Sequence, residues 1–356
     1  MKKRLICIVL AFALMLSLCA CGGSTAVKIS GPTTTFTDSC GREVEIPEEI
    51  NSVVPSGALA QMVLLTLCPE KLVGLSSNLS RTQKKYFSAD VGNLPVFGSF
   101  YGGKSTMNFE AVIGTQPDIL IDVGEEKATI VEDMDSITKI TSTPSVYIRG
   151  DLRSLPEAYR TLGKLLGVEE RGETLASYIE NVLNEIDAGA ESISQDERLT
   201  VMYGDSDSGL DVKSADSIHA ELIDIAGGIN VAQTYADGGV SLEQVFNWNP
   251  DVIILSPDAN YEDVYDDAGW APLKAVQNGR VYEIPYSPYN WIDKPPSVQR
   301  VLGLQWLANI LYPDVFDYDM IKLTQEFFEL FYGTKLTDDE AMELMINSTY
   351  HEVTVG

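Results

Sequence analysis

The sequence predicts an α/β protein of two lobes joined by one long helix. Three observations carry that expectation. Short apolar runs alternate with amphipathic stretches between residues 52 and 148. The same alternation restarts at residue 200, and a single helical period fills the interval between them. Strand–helix alternation of this kind builds parallel-type sheets covered on both faces.

In chain order, residues 36–38 and 42–46 flank Ser39-Cys40-Gly41 and read as a β-hairpin ended by Pro47. Buried strands are expected at 52–54, 72–75, 118–122 and 145–148, with helices at 58–67 and 107–115. From Leu175 the apolar residues Ile179, Val182, Ile186, Ala190 and Ile193 follow at intervals of three or four, the helical period. Counted over 172–194, that helix is roughly 35 Å long at about 1.5 Å per residue. Strands are expected again at 200–203, 251–255 and 280–284, with helices at 217–226, 241–247 and 271–277. The tail from about 297 reads as helical through 311, then near 319–331 and 338–346. No repeat is evident.

The amino terminus says where the chain works. Lys2, Lys3 and Arg4 precede an apolar run from Leu5 to Leu18 broken only by Ser17. A span of that length is too short for a bilayer, which needs about 20 residues, and reads as a secretory signal. Leu18-Cys19-Ala20-Cys21-Gly22 resembles the lipobox of bacterial lipoproteins, which implies acylation of Cys21. The expected organisation is a signal peptide over 1–20, a small and polar tether over 21–35, a lobe over 36–154, linking helices over 155–198, and a second lobe with its helical tail over 199–356. The expected location is the outer face of the cytoplasmic membrane.

Composition narrows the partners. The chain of 356 residues carries a formal net charge of -27, and loss of three basic signal residues takes the exported form to about -30. So acidic a surface argues against nucleic acid and anionic lipid as electrostatic partners. Once Cys7 and Cys19 leave and Cys21 is acylated, Cys40 and Cys68 remain, with spacing that fits no metal motif. Two unlinked thiols are the expectation. No P-loop, HExxH, G-x-S-x-G or helix-entering GxGxxG is present. Asp216, Ser217 and His219 are triad residue types, but adjacency in sequence is not triad geometry. An exported enzyme of unknown reaction stays the competing class.

The segments DSCGREVEIP (38–47), NFEAVIGTQPDILID (108–122), HAELIDIAGGINVA (219–232), SLEQVFNWNPDVIIL (241–255) and GWAPLKAVQNGRVYEIP (269–285), ordered around one long helix, resemble class III substrate-binding proteins of ABC importers. The resemblance covers nearly the whole exported chain. It implies two Rossmann-like lobes on a rigid helical strut, with the ligand in the cleft between them. It also implies an ABC permease and its ATPase as partners, a monomer, no intrinsic cofactor and no catalysis. A ferric siderophore or other iron chelate comes first as ligand; haem, a corrinoid or a molybdate-type oxyanion remain open. With His219 and His351 the only histidines, any metal is expected to arrive already chelated.

Glu110 and Glu243 each stand eight residues before the Asp of a Pro-Asp pair, Asp118 and Asp251. In the resembled family, glutamates so placed dock on permease arginines, one per lobe; a helix-start glutamate favoured by the dipole is the plainer reading. Ligands of open α/β sheets bind beyond the carboxyl ends of the strands. That rule points to Ser56, Phe100, Tyr101, Tyr147 and Arg149 in the first lobe. In the second it points to Tyr203, His219, Tyr286, Tyr289 and Trp291. Lys104, Lys213 and Lys294 fall in or beside the same loops, where ligand contact and a solvated surface are both open. The acidic run from Asp258 to Asp267 lacks a calcium-loop pattern and is expected to be a solvated loop.

Overall fold

The computed structural model describes residues 29–100 and 106–349. The signal, Cys21, Tyr101, Lys104 and His351 lie outside them. Two strands open the described chain, β1 (Thr33–Thr37) and β2 (Glu43–Pro47), antiparallel with Phe36 opposite Val44. Thr33 to Thr35, expected in the tether, are therefore strand, as β-branched residues with a pairing partner tend to be. Asp38 fixes the turn: its carboxylate accepts from the Arg42 amide at 2.9 Å and faces the Arg42 guanidinium at 3.0 Å.

The first lobe is a parallel sheet in the order β3 (Val53–Pro55), β4 (Ile119–Gly124), β5 (Ser145–Arg149). Its strands are buried on both faces, which is why they read as continuous apolar runs. The strand expected at 72–75 reduces to two bridges, Leu72 to Val53 and Leu75 to Val96. A helix over Ile130–Thr141 covers one face, turning Ile130, Met134, Ile137 and Thr141 inward at helical spacing.

Two helices link the lobes, Leu155–Leu165 and the strut Glu169–Ser192. The strut starts earlier than its apolar period suggests, because Glu169 and Glu170 suit a helix amino terminus. Gly163 and Gly172 let the two helices cross closely: a Cβ on Gly172 would sit 2.6 Å from the Tyr159 carbonyl oxygen.

The second lobe holds β6 (Thr200–Asp205), β7 (Asp211–Val212), β8 (Ile229–Asn230), β9 (Gly238–Gly239), β10 (Val252–Leu255) and β11 (Val281–Glu283) in one sheet. β6, β10 and β11 run parallel; β7 and β9 add antiparallel pairs at the carboxyl end of β6. Two-residue strands are too short for alternation to register, so sequence reading passes over them. It also passes over the helix Tyr261–Asp266 inside the acidic run.

The tail forms helices Gln299–Leu311, Met320–Tyr332 and Asp338–Glu343. Its middle helix, expected with the second lobe, reaches the first lobe as well. Phe328 and Tyr332 meet Tyr86 edge-on and tilted, Phe331 meets Tyr159 edge-on, and Phe327 stacks on Phe331 at 4.3 Å. The Arg171 guanidinium joins the Thr66 and Leu330 carbonyls at 3.0 and 2.5 Å. One apolar cluster consequently runs from Val53 and Ile119 through Ile179 and Phe331 to Val201 and Ile254. Cys40 and Cys68 are free thiols, both raised by burial, Cys40 to about 11 and Cys68 to about 12.

Candidate functional site

At the carboxyl ends of the strands each lobe joins its two leading strands by a serine–aspartate hydrogen bond. In the first lobe the Ser56 hydroxyl donates to Asp122 Oδ1. In the second the Ser256 hydroxyl donates to Asp205 Oδ1 at 2.6 Å. Burial pushes the Asp122 carboxyl above the usual carboxylate range, and its Oδ2 has no hydrogen-bond partner within the protein. Asp205 differs. Burial works against its charge, but bonds from Lys213 at 2.8 Å, Lys294 at 2.6 Å and Ser256 outweigh it and hold the carboxyl well below the usual range.

Beside this pair, Tyr203, His219, Asp293 and Arg300 form a polar cluster. Asp293 is fully buried with Oδ2 3.1 Å from Nδ1 of His219, whose ring is partly exposed. The Tyr203 hydroxyl is buried without a well-formed hydrogen bond, and burial, then the Asp293 carboxylate, push it well above its ordinary range. Arg300 sits on the first turn of the tail helix, 3.1 Å from the Ile218 carbonyl and 2.6 Å from Glu221. Burial lowers its affinity for the proton, and Glu221 works in the opposite direction. Ile218, Pro296 and Arg300 face Leu59, Gly150 and Asp151 of the first lobe across a narrow crevice.

The residues expected at the cleft divide sharply. Ser56 and Phe100 do meet, the Phe100 amide donating to the Ser56 carbonyl at 2.7 Å. Tyr203 and His219 share the polar cluster. Tyr147 does not present its ring: it is fully buried in the first-lobe core and its hydroxyl donates to the Gly124 carbonyl at 2.9 Å. Trp291 is likewise fully buried, its carbonyl pressed on Gly303, where a Cβ would collide. Tyr289 is buried too. Tyr286 is exposed but lines a flank pocket of about 380 Å³ with Lys85, Thr334 and Ile346. The cations are spoken for: Arg149 faces Asp151 at 2.6 Å, Lys213 and Lys294 face Asp205, and Lys294 also faces Asp258 at 2.9 Å.

Sequence reading missed Asp293, inside the proline-rich loop, Arg300, just after it, and Asp122, read only as the end of a strand. A larger cavity of about 750 Å³ lies against Ser192, Arg280, Trp306 and Tyr312. That is the amino-terminal side of the second sheet, the wrong end for a solute in this architecture.

Glu110 and Glu243 are both exposed in the first turn of seven-residue helices, Phe109–Thr115 and Leu242–Trp248. Asn108 and Ser241 cap them, accepting from Ala111 and Gln244 amides at 3.1 and 3.2 Å. Both helices end in a left-handed residue, Gln116 and Asn249. The carboxylates of Asp118 and Asp251 then take the amides of Ser52 at 2.9 Å and Thr200 at 2.8 Å. The module is the same in each lobe: the matched glutamate-to-aspartate spacing shows in the sequence, whereas the caps and left-handed stops emerge only in the structure.

Two lobes on a strut, with a crevice between them at the carboxyl ends of the strands, have the architecture of a solute-capture protein. Comparison agrees: a family model described as periplasmic binding protein matches residues 64–288, and the chain belongs to that family. Its fold is similar to an ABC transporter solute binding protein from Sulfurospirillum deleyianum, with TM-score 0.80 and 30% identity over 88% of this chain and 99% of that one. It is 23% identical to the molybdate-binding protein MolA of Haemophilus influenzae over 86% of this chain and 93% of that protein. It is 24% identical to the Fe(3+)-citrate-binding protein YfmC of Bacillus subtilis over 51% and 58%. The protein is an extracytoplasmic solute-binding component of an ABC importer, not an enzyme.

Proposed function

We propose that the solute is a compact, polar metal chelate, an iron chelate first among them, rather than a flat macrocycle. The observation that carries this reading is the exchange of character at the strand ends. Tyr147 and Trp291 are fully buried and Tyr289 turns against Gln61 of the first lobe, while the buried polar atoms of Asp293, Tyr203 and His219 cluster beside Arg300, which lines the crevice. Buried acceptors need donors or positive charge opposite them. Arg149, Lys213, Lys294 and Arg300 already face carboxylates, which disfavours a bare oxyanion. The relationship to a ferric-citrate binder supports the same class; the longer relationship to a molybdate binder makes the oxyanion the reading to test against.

Titration of tryptophan fluorescence with ferric citrate, a ferric siderophore, haemin, cobalamin and molybdate tests it. Saturable binding of a ferric chelate in preference to the other three is expected; tighter binding of haemin, cobalamin or molybdate overturns it. The same reading places Cys21 as the lipid anchor and Glu110 and Glu243 as the two contacts with permease arginines, one from each lobe. Charges spaced on a rigid body set register and encounter rate more than affinity.

A further inference from the structure

The duplicated module holds more than a glutamate. At the position three residues on, one helical turn along the same face, stand Ile113 and Phe246. Both are large apolar side chains left in solvent, 44% and 38% exposed. Between them and the glutamates, Val112 and Val245 point the other way and are fully buried, each in the separate core of its own lobe. Cap, glutamate, buried valine, exposed apolar residue, left-handed stop and clamped aspartate thus recur position for position in both lobes. Their separation is fixed by the apolar cluster that spans the strut and both lobes.

We infer that Ile113 and Phe246 are docking knobs, and that the partner is a transporter face carrying two like sites, each a basic side chain beside an apolar socket. This rests on the reading of Glu110 and Glu243 as docking residues and adds what they lack. Exposed carboxylates steer and are screened by salt, whereas burying an apolar side chain supplies salt-insensitive affinity. Charge complementarity selects the partner. A second copy would set glutamate against glutamate on a chain of net charge -27, and so would an anionic lipid surface.

The test uses the full exported chain with Cys21→Ser, sedimented with right-side-out membrane vesicles from its own host and, separately, with vesicles of that host's extracted lipid. Ile113→Ser with Phe246→Ser should weaken binding to the membranes about tenfold or more, with salt dependence retained. Glu110→Gln with Glu243→Gln should weaken it and flatten the salt dependence. Neither pair should change solute affinity or the melting temperature. If the serine pair binds like wild type while the glutamine pair does not, docking by glutamates stands and the knobs fall. If neither pair matters, both readings fall. Equal binding to lipid alone, or a wild-type dimer that the serine pair dissolves, also overturns the inference.

Discussion

Oδ2 of the buried Asp293 lies 3.1 Å from Nδ1 of His219, a close approach short of hydrogen-bond geometry that sets a carboxylate behind the imidazole. With the carboxylate on the Nδ1 side, the far nitrogen of the partly exposed ring is the one a solute can reach. His219→Ala should therefore weaken solute binding about tenfold, the worth of one good polar contact. Asp293→Asn should weaken it less, since it acts through the ring. Isothermal titration checks both, and unchanged affinity in His219→Ala would remove the histidine from the site.

The two strand-end aspartates titrate in opposite senses. Asp205 has a folded-state affinity for protons held down by Lys213, Lys294 and Ser256, so its contribution is present above the ordinary carboxylate range, about 4, and is lost as pH falls through its folded value. Asp205→Asn should cost about 3 kcal/mol near neutrality, chiefly by stranding the mostly buried Lys213 ammonium, since Lys294 keeps Asp258, and should flatten the acid limb. Asp122 is raised by burial, so its charge opposes folding as pH rises above about 4. Asp122→Asn should be neutral or stabilising at pH 7. Urea unfolding across pH gives both slopes, and equal effects of the two substitutions would contradict the assignment.

Phe331 stacks on Phe327 and meets Tyr159 of the linking helix, so the tail ties the second lobe to the first. Phe331→Ala should cost about 3–5 kcal/mol and lower one shared transition. Separate unfolding of two lobes in the wild type would show that the core is not common property.

The same shared core limits domain closure. Small-angle scattering with and without a bound ferric chelate should give nearly superimposable profiles; a large contraction would contradict a rigid strut.

Charge reversal tests the docking pair. Glu110→Lys or Glu243→Lys should impair uptake in cells while solute affinity is retained, and lost affinity would sink the docking role.

How far the sequence could be read follows the physics of each element. Strands buried on both faces, such as Ile119–Gly124, announce themselves as apolar runs, and the strut does so through its period. The aromatic residues misled, because a ring on a loop near strand ends looks the same in sequence whether it faces a solute or packs inward. Gly303 decides that for Trp291, and the Gly124 carbonyl decides it for Tyr147. Asp293 and Arg300 were silent, since a single charged residue gains meaning only from neighbours brought by folding. Glu110 and Glu243 were legible by their matched spacing; Ile113 and Phe246 needed exposure to be told from core residues.

Capture of a polar metal chelate is tested most directly by native mass spectrometry with visible absorption on protein purified from its own host. A metal-bearing solute of small mass, released unchanged on denaturation and with the charge-transfer colour of chelated iron, is the predicted result. A haem or corrinoid spectrum, a molybdenum oxyanion, or a chemically altered solute would contradict it.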